Sequence, residues 1–333
     1  MTRRYHDNII GTDVVELERD GTIWRFPEVL AGRFEVESML ATGGFGALFT
    51  ARDRKVFKRR VLVKTGLLGP DVLSLPNNAS IPDLVKKIRE RFGMEKNFLL
   101  HGQARQIDGI PVLLDAFLAP SPMIRGPHST PQGDVFHDDP ACWRDLPHLV
   151  LGFFDGIPLD NYCLKGGYLL KKNPFGFLRY LGTYLSNILD AFHRPMECGN
   201  KEFAFSYQDL KPANILVSER ENRCCLIDFG GAAARVNGQY VNAGVFTAGF
   251  APPEARRVPI DPEDCLRPAW DVYCLGATLK ETVRLAGVEN DVPAEFREFI
   301  AACMADDPAN RPQTMSEVTT RLLAIASHGN SQR

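Results

Sequence analysis

Glycines crowd the turn Ala41-Thr42-Gly43-Gly44-Phe45-Gly46. Positions without side chains let backbone amides come close to a polyphosphate, where a Cβ would stand in the way. A flexible turn between two strands uses the same residues, so the cluster needs support from elsewhere in the chain. Val61-Leu62-Val63-Lys64 offers some, because an apolar run ending in a cation suits a strand that holds Lys64 toward nucleotide phosphates. The plainer reading is a strand-end lysine extending into solvent. Further on, Tyr207-Gln208-Asp209-Leu210-Lys211-Pro212-Ala213-Asn214-Ile215-Leu216-Val217 gathers a carboxylate, an ammonium group and an amide in one stretch, and the apolar Cys225-Leu226-Ile227 leads into Asp228-Phe229-Gly230. Taken singly, each of those carboxylates could equally cap a helix or a surface turn.

These residues need elements to position them. Two alternating stretches in 14–26 flank Asp20-Gly21, a dipeptide suited to a tight hairpin. Alternation at 34–40 and 48–52 and the run at 61–63 predict consecutive strands of a meander around the glycine turn. Helical spacing covers 83–100, and 110–117 and 149–154 read as two more strands. The stretch 119–147 is rich in Pro, Gly, His and Asp and lacks periodicity, which predicts an exposed insert. Its His128, His137, Asp138 and Asp139 read as solvated loop residues rather than metal ligands. The second half changes character, with helical patterns at 177–193, 271–285, 293–304 and 315–326. The expected class is therefore α+β, with a small strand-rich lobe carrying one main helix, a larger helical lobe, and the cleft between them as the default ligand site.

Composition excludes more than it selects. The chain has 333 residues, 44% of them hydrophobic, enough for a sizeable core. Its 39 basic and 41 acidic residues leave a net charge of -2, so no global field points to nucleic acid or to an anionic membrane. The eight cysteines are scattered, apart from the Cys224-Cys225 doublet in an apolar run, and read as buried, reduced thiols. The start of the chain lacks the apolar run of a secretory leader, and no segment approaches membrane-spanning length, so a cytoplasmic location is expected.

In order and spacing, the 207–217 stretch resembles the catalytic loop of the eukaryotic-type (Hanks-type) serine/threonine protein kinase family, here in the form of a bacterial stand-alone member. Asp228-Phe229-Gly230 is similar to that family's metal-binding motif, and Lys64 to the lysine of its third strand. The likeness extends from about residue 29 to 326. Ala251-Pro252-Pro253-Glu254, Asp271-Val272-Tyr273-Cys274-Leu275-Gly276 and Asp307-Pro308-Ala309-Asn310-Arg311-Pro312 resemble later family segments. The resemblance implies ATP and Mg²⁺ as cofactors, Asp209 to orient or deprotonate the acceptor hydroxyl, Lys211 at the γ-phosphate, and Asn214 and Asp228 as metal ligands. Nucleotide contacts are implied for Gly43, Gly44, Gly46, Leu48 and Lys64, with Glu95 as the lysine's helix partner and Glu90 as the alternative. Leu151, the gatekeeper, and Gly152, Phe153 and Phe154 are implied as the adenine-binding hinge. It further implies that Glu254 pairs with Arg311, that Asp271 braces the catalytic loop, and that Thr247 contacts Asp209 and Lys211.

The division that follows is an extension at 1–28 with a hairpin, a first lobe at 29–152 holding the 119–147 insert, a second lobe at 153–326, and a flexible tail at 327–333. Departures from the family pattern shape the functional expectation. Ala41 replaces the first loop glycine, and Tyr207 and Gln208 stand where His and Arg are usual. The missing arginine normally meets a phosphate on the activation loop, so activity should not depend on phosphorylation of that loop. Residues 286–292 leave little room for a helix that the family usually carries, which suggests a dedicated regulatory partner bound through the insert or the amino-terminal hairpin. The expected function is a protein serine/threonine kinase. The alternatives are an ATP-binding pseudokinase scaffold, which would be expected to have lost Lys64, Asp209 or Asp228, and a small-molecule kinase on the same fold.

Overall fold

The computed structural model of the chain describes residues 2–8, 11–19, 21–43, 46–67, 81–125, 127–130, 133–136, 145–198, 201–241, 246–257 and 259–326. It falls into two compact units, Met1–Asn97 with Val112–Phe153, and Phe98–Pro111 with Phe154–Arg333. The division cuts through one helix, between Asn97 and Phe98.

The first unit contains β1 (Thr2–Asp7), β2 (Thr12–Arg19), β3 (Thr22–Pro27), β4 (Val29–Leu30), β5 (Phe34–Gly43), β6 (Gly46–Asp53), β7 (Arg59–Gly66) and most of α1 (Ile81–Ala104). After α1 come β8 (Leu113–Pro120), β9 (Met123–Arg125), β10 (Pro127–Thr130), β11 (Gly133–Phe136) and β12 (Asp145–Gly152). A six-stranded sheet runs in the order β4-β5-β6-β7-β12-β8. Period-two alternation sets its faces: Val61, Val63 and Thr65 of β7 are buried on one side, so Leu62 and Lys64 point to the other. Helix α1 lies over that second side. Its Ile88, Phe92 and Glu95 are all buried at helical spacing, and a Cβ added at Gly66 would come within 2.5 Å of the Ile88 side chain.

The opposite face of the sheet is closed by a second, four-stranded sheet in the order β1-β2-β3-β9. Val15, Leu17, Trp24 and Phe26 enter one core with Phe34, Val36, Phe49, Val61 and Val63. Phe26 meets Phe49 edge-on with ring centroids 4.9 Å apart. Strand β1 has no counterpart in the sequence reading, because its residues are polar and mostly exposed and give no hydrophobic alternation. Strand β9 and the β10–β11 hairpin fall in the stretch read as an insert without periodicity, and at 3 and 4 residues these strands are too short to display one. Strand β8 begins at Leu113 rather than 110, beyond Pro111, which has no amide to donate to a ladder. Strand β12 occupies Asp145–Gly152 rather than 149–154, since its first half pairs with β8 from Asp145↔Pro120 onward.

The second unit contains β13 (Ile157–Pro158), α2 (Leu159–Leu164), α3 (Tyr168–Lys172), α4 (Pro174–His193), β14 (Met196–Cys198), β15 (Lys201–Ser206), β16 (Ile215–Ser218) and β17 (Arg223–Leu226). There follow β18 (Ala233–Val236), β19 (Gln239–Val241), α5 (Pro262–Leu266), α6 (Pro268–Ala286), α7 (Ala294–Cys303) and α8 (Met315–Ala324). Helix α4 starts earlier than its apolar period because Asn173 caps it, accepting from the Gly176 amide at 2.9 Å, with Pro174 in the first turn. Helix α6 ends at Gly287, whose φ of +64° closes the last turn, and turns alone join it to α7. The sequence reading of this half as helical omits two antiparallel sheets, β13-β16-β17 and β14-β15-β18-β19. Cys163, Cys224, Cys225, Cys265, Cys274 and Cys303 are buried free thiols. Among the described residues no helix is long and apolar enough to cross a membrane.

Candidate active site

In the first unit, Lys64 Nζ donates to both carboxylate oxygens of Glu95 at 2.8 Å. Glu95 is 2% exposed, a charge set into the apolar stripe of α1, where only a partner cation makes burial tolerable. Glu90 instead faces solvent, 4.0 Å from Lys86. Leu48 of β6 and Leu149 of β12 stand opposite Lys64 in the register on either side. Gly43 and Gly46 face each other across the β5–β6 turn, and Gly44 lies outside the described residues. A Cβ at Gly46 would sit 2.6 Å from the Thr65 carbonyl oxygen, so the strand pairing itself requires glycine there. Along β12, Leu151 is buried and the Gly152 amide donates to the Val112 carbonyl at 2.8 Å. The exposed Phe153 ring carries the Arg60 guanidinium 4.4 Å above it, and Phe154 opens the second unit.

In the second unit the loop after β15 converges on Asp209. Its Oδ2 accepts from Lys211 Nζ at 2.8 Å and from Asn214 Nδ2 at 3.3 Å, and its Oδ1 accepts from the Thr247 hydroxyl at 2.5 Å. Lys211 Nζ also donates to Thr247 Oγ1 at 2.6 Å, and Asn214 Nδ2 to the Asp209 carbonyl at 2.9 Å. Carboxylate, ammonium, hydroxyl and amide therefore form one connected cluster. Asp228 is exposed, and its left-handed backbone (φ +60°), costly for a non-glycine residue, marks a constrained turn. The following Phe229 is 1% exposed and stacks on Phe98 at 4.6 Å, with Tyr207 edge-on at 5.4 Å. Tyr207 donates its hydroxyl to the Ile227 carbonyl. Its burial, reinforced by the charges of Asp228 and Asp209, pushes the phenol well above its usual pKa, so it remains neutral.

One buried carboxylate locks this loop in place, and a buried ion pair lies elsewhere in the unit. Asp271, 0% exposed in the first turn of α6, accepts at Oδ2 from the Ser206 hydroxyl at 3.0 Å and the Tyr207 amide at 2.9 Å, and at Oδ1 from the Gln208 amide at 2.8 Å. Glu254 and Arg311 form a bidentate pair at 2.7 and 2.8 Å, with side chains 3% and 0% exposed. The Arg311 guanidinium also donates to the carbonyls of Ala269, Ala305 and Asp306. Sequence reasoning missed His193, whose Nε2 lies 2.8 Å from Asp271 Oδ2, and Ser206. A histidine at the end of an apolar helix and a serine just ahead of Tyr207-Gln208-Asp209 were the available signals.

Residues 179–288 match the protein kinase domain family. The matched residues make up about a third of the chain. Asp209, Lys211, Asn214, Asp228, Thr247, Glu254 and Asp271 fall inside the matched residues, and Lys64, Glu95 and Arg311 fall outside them. The chain is 27% identical over 270 residues to Serine/threonine-protein kinase F of Synechocystis sp., an alignment covering 78% of this chain and 46% of that protein. It is 24% identical over 312 residues to Serine/threonine-protein kinase PknG of Mycobacterium leprae, covering 90% of this chain and 33% of that protein. It thus spans less than half the length of these curated relatives. The solved structure of the PpkA-294 apo form, 18% identical, superposes with a TM-score of 0.57 over 88% of this chain and 97% of that one, a likeness of fold.

Proposed function

We propose that the protein transfers the γ-phosphoryl group of Mg-ATP to a serine or threonine hydroxyl of a protein substrate. The observation that carries this reading is the connected cluster of Asp209, Lys211, Asn214 and Thr247 inside the residues that match the protein kinase family. Phosphoryl transfer is governed by positioning and charge neutralisation. Asp209 is the group to orient the incoming hydroxyl and receive its proton, and Lys211 sets a positive charge beside it. Thr247 bridges the two, which supports a hydroxyl acceptor of the serine or threonine kind. Lys64, fixed by Glu95, is the residue assigned to the nucleotide phosphates, with the turn around Gly43 and Gly46 and the Leu48 side chain alongside. Leu151, Gly152, Phe153 and Phe154 are assigned to adenine.

The donor set suits Mg²⁺. Asn214 spends its amide nitrogen on Asp209, leaving its carbonyl oxygen as the atom for a cation, and with the Asp228 carboxylate this makes a pair of hard oxygen donors. When bound, the ion would neutralise charge on the phosphates. A neutral Gln208 stands where a phosphate-binding arginine is usual, which supports activity without phosphorylation of the activation segment. A cytoplasmic setting and a regulatory partner complete the reading. The test is transfer from γ-labelled ATP and Mg²⁺ to a generic basic protein, with label located by mass spectrometry. Asp209→Asn should lower kcat by about 10²–10⁴-fold. An unchanged rate in that variant would overturn the assignment of Asp209.

A further inference from the structure

The residue that replaces the family's arginine does not face solvent. Gln208 is 1% exposed and sits in the left-handed region at φ +66°. Few non-glycine residues hold that conformation, and here its backbone groups are fixed on both sides. The amide donates to Asp271 Oδ1 at 2.8 Å, and the carbonyl accepts from Cys274 Sγ at 3.5 Å. The side-chain amide reaches across to α5, where Nε2 donates to the carbonyl of the fully buried Cys265 at 3.1 Å.

Helix α5 in turn holds the start of the activation segment. Glu263 accepts from the Tyr240 hydroxyl and lies 3.9 Å from the Arg235 guanidinium, which is also 3.6 Å from Glu202 of β15. Arg235 and Tyr240 stand opposite each other in the β18–β19 hairpin. That hairpin is zipped onto β15 by the pairs Phe203↔Val236, Ala204↔Arg235, Phe205↔Ala234 and Ser206↔Ala233. Ser206 is the residue before Tyr207, so the path runs from the catalytic loop through α5 to the hairpin and back to the catalytic loop by way of β15. A phosphate on the segment would have no arginine at 208 to meet, and the path closes without one.

Building on the kinase reading above, we propose that Gln208 is a positioning residue: a neutral strut that ties the catalytic loop to α5 and so holds Asp209 and the β18–β19 hairpin in register without phosphate. What it supplies is a donor of the right length at the Cys265 carbonyl. Gln208→Glu keeps the size and shape, removes the Nε2 donor and leaves an ionised carboxylate facing the Cys265 carbonyl oxygen. Asp271, Asp209, Cys274 and Cys265 are the titratable neighbours, and their negative or neutral character favours protonation of the introduced carboxyl as pH falls. Once protonated, it can donate again.

The experiment compares wild type and Gln208→Glu at about pH 8 and about pH 6, measuring kcat, KM for ATP and the thermal midpoint. At the higher pH the variant should lose about tenfold in kcat with KM for ATP unchanged, since misplacement of a catalytic group lowers turnover. At the lower pH its kcat relative to wild type should recover severalfold. A variant kcat matching wild type at both values would overturn the strut. So would an equal loss at both values accompanied by a lower thermal midpoint, which would show a side chain that merely fills space. The wild-type arms test the underlying reading separately, since no transfer at all would sink the kinase assignment. Transfer abolished by phosphatase treatment would sink phosphate independence.

Discussion

Asp271→Asn is the most informative single substitution in the second unit. The wild-type carboxylate is 0% exposed and serves three protein donors besides the imidazole of His193. An asparagine that keeps its oxygen at the Oδ2 position retains the Ser206, Tyr207 and His193 contacts but turns an NH₂ group toward the Gln208 amide, 2.8 Å away in the wild type. One charge-assisted hydrogen bond is lost, which costs about 1.5–3 kcal/mol, and a buried amide is left without an acceptor, which costs about 1–3 kcal/mol more. The three remaining bonds also lose their charge assistance. The expected destabilisation is therefore about 3–5 kcal/mol, large against the ~5–15 kcal/mol available to a domain. Trp270, the buried residue next to Asp271, provides a fluorescence signal for this region in a urea titration. Because the Tyr207 and Gln208 amides immediately precede Asp209, kcat should fall by roughly 10²-fold at a denaturant-free pH where the variant is still folded. A shift below about 1 kcal/mol together with unchanged turnover would refute the idea that Asp271 sets the loop.

Removing either partner of the Glu254–Arg311 pair should cost about 3–5 kcal/mol, whereas Glu254→Met combined with Arg311→Met should cost far less than the two single changes together. Urea midpoints of the four proteins test this, and simple additivity would contradict it. Stability should also depend on pH through His101 and His148, both depressed from 6.5 to about 4, chiefly by burial and, for His101, also by the neighbouring Arg105 charge. A histidine depressed in the folded state binds fewer protons than in the unfolded chain throughout that window, so stability is full above about pH 6.5 and is lost as pH falls toward 4. At pH 5 the loss is about 2 kcal/mol per histidine. Replacing His148 with a neutral isostere should flatten the slope of urea stability between pH 7 and 5 by about half, and an unaltered slope would show that the ring does not titrate there.

How much the sequence disclosed depended on whether a motif in family order or a hydrophobic period marked the residues. Glu95 was legible as the partner of Lys64 through the family resemblance, which calls for a helix carboxylate, and through Phe98 and Leu99, which face the core in the following turn. The set from Asp209 through Asn214 to Asp228 was legible because its order and spacing resemble the kinase catalytic loop and metal-binding motif, although each residue alone could have capped a helix or a turn. The second unit's four-stranded sheet was not read, although Asn237-Gly238, both at positive φ, is a strong hairpin signal. Its flanking strands are short, and half of β18 is alanine, so alternation gave no support. Strand β1 was illegible for a related reason. Its buried interactions are polar, with Arg25 bonded to Asp7 at 3.1 Å and Tyr5 to Glu16 at 2.7 Å, so no hydrophobic period announces it.

The position of the amino-terminal sheet changes which part of the molecule is worth testing as a docking element. Residues Val15, Leu17, Trp24 and Phe26 share one core with Phe49, Val61 and Val63 of the strands that hold Lys64. Burying four such side chains contributes about 6–12 kcal/mol, on the scale of a whole domain's stability. Deleting residues 1–28 would therefore expose the core behind β6 and β7, and any loss of activity would report unfolding rather than a lost partner. Strand β9, paired with β3 through Ile23↔Arg125 and Arg25↔Met123, belongs to the same sheet and carries the same penalty. The β10–β11 hairpin is different, because among the described residues its strands pair only with each other. A partner bound through the insert is thus best sought by replacing 127–136 with a short turn, an excision that leaves the four-stranded and six-stranded sheets of the first unit intact.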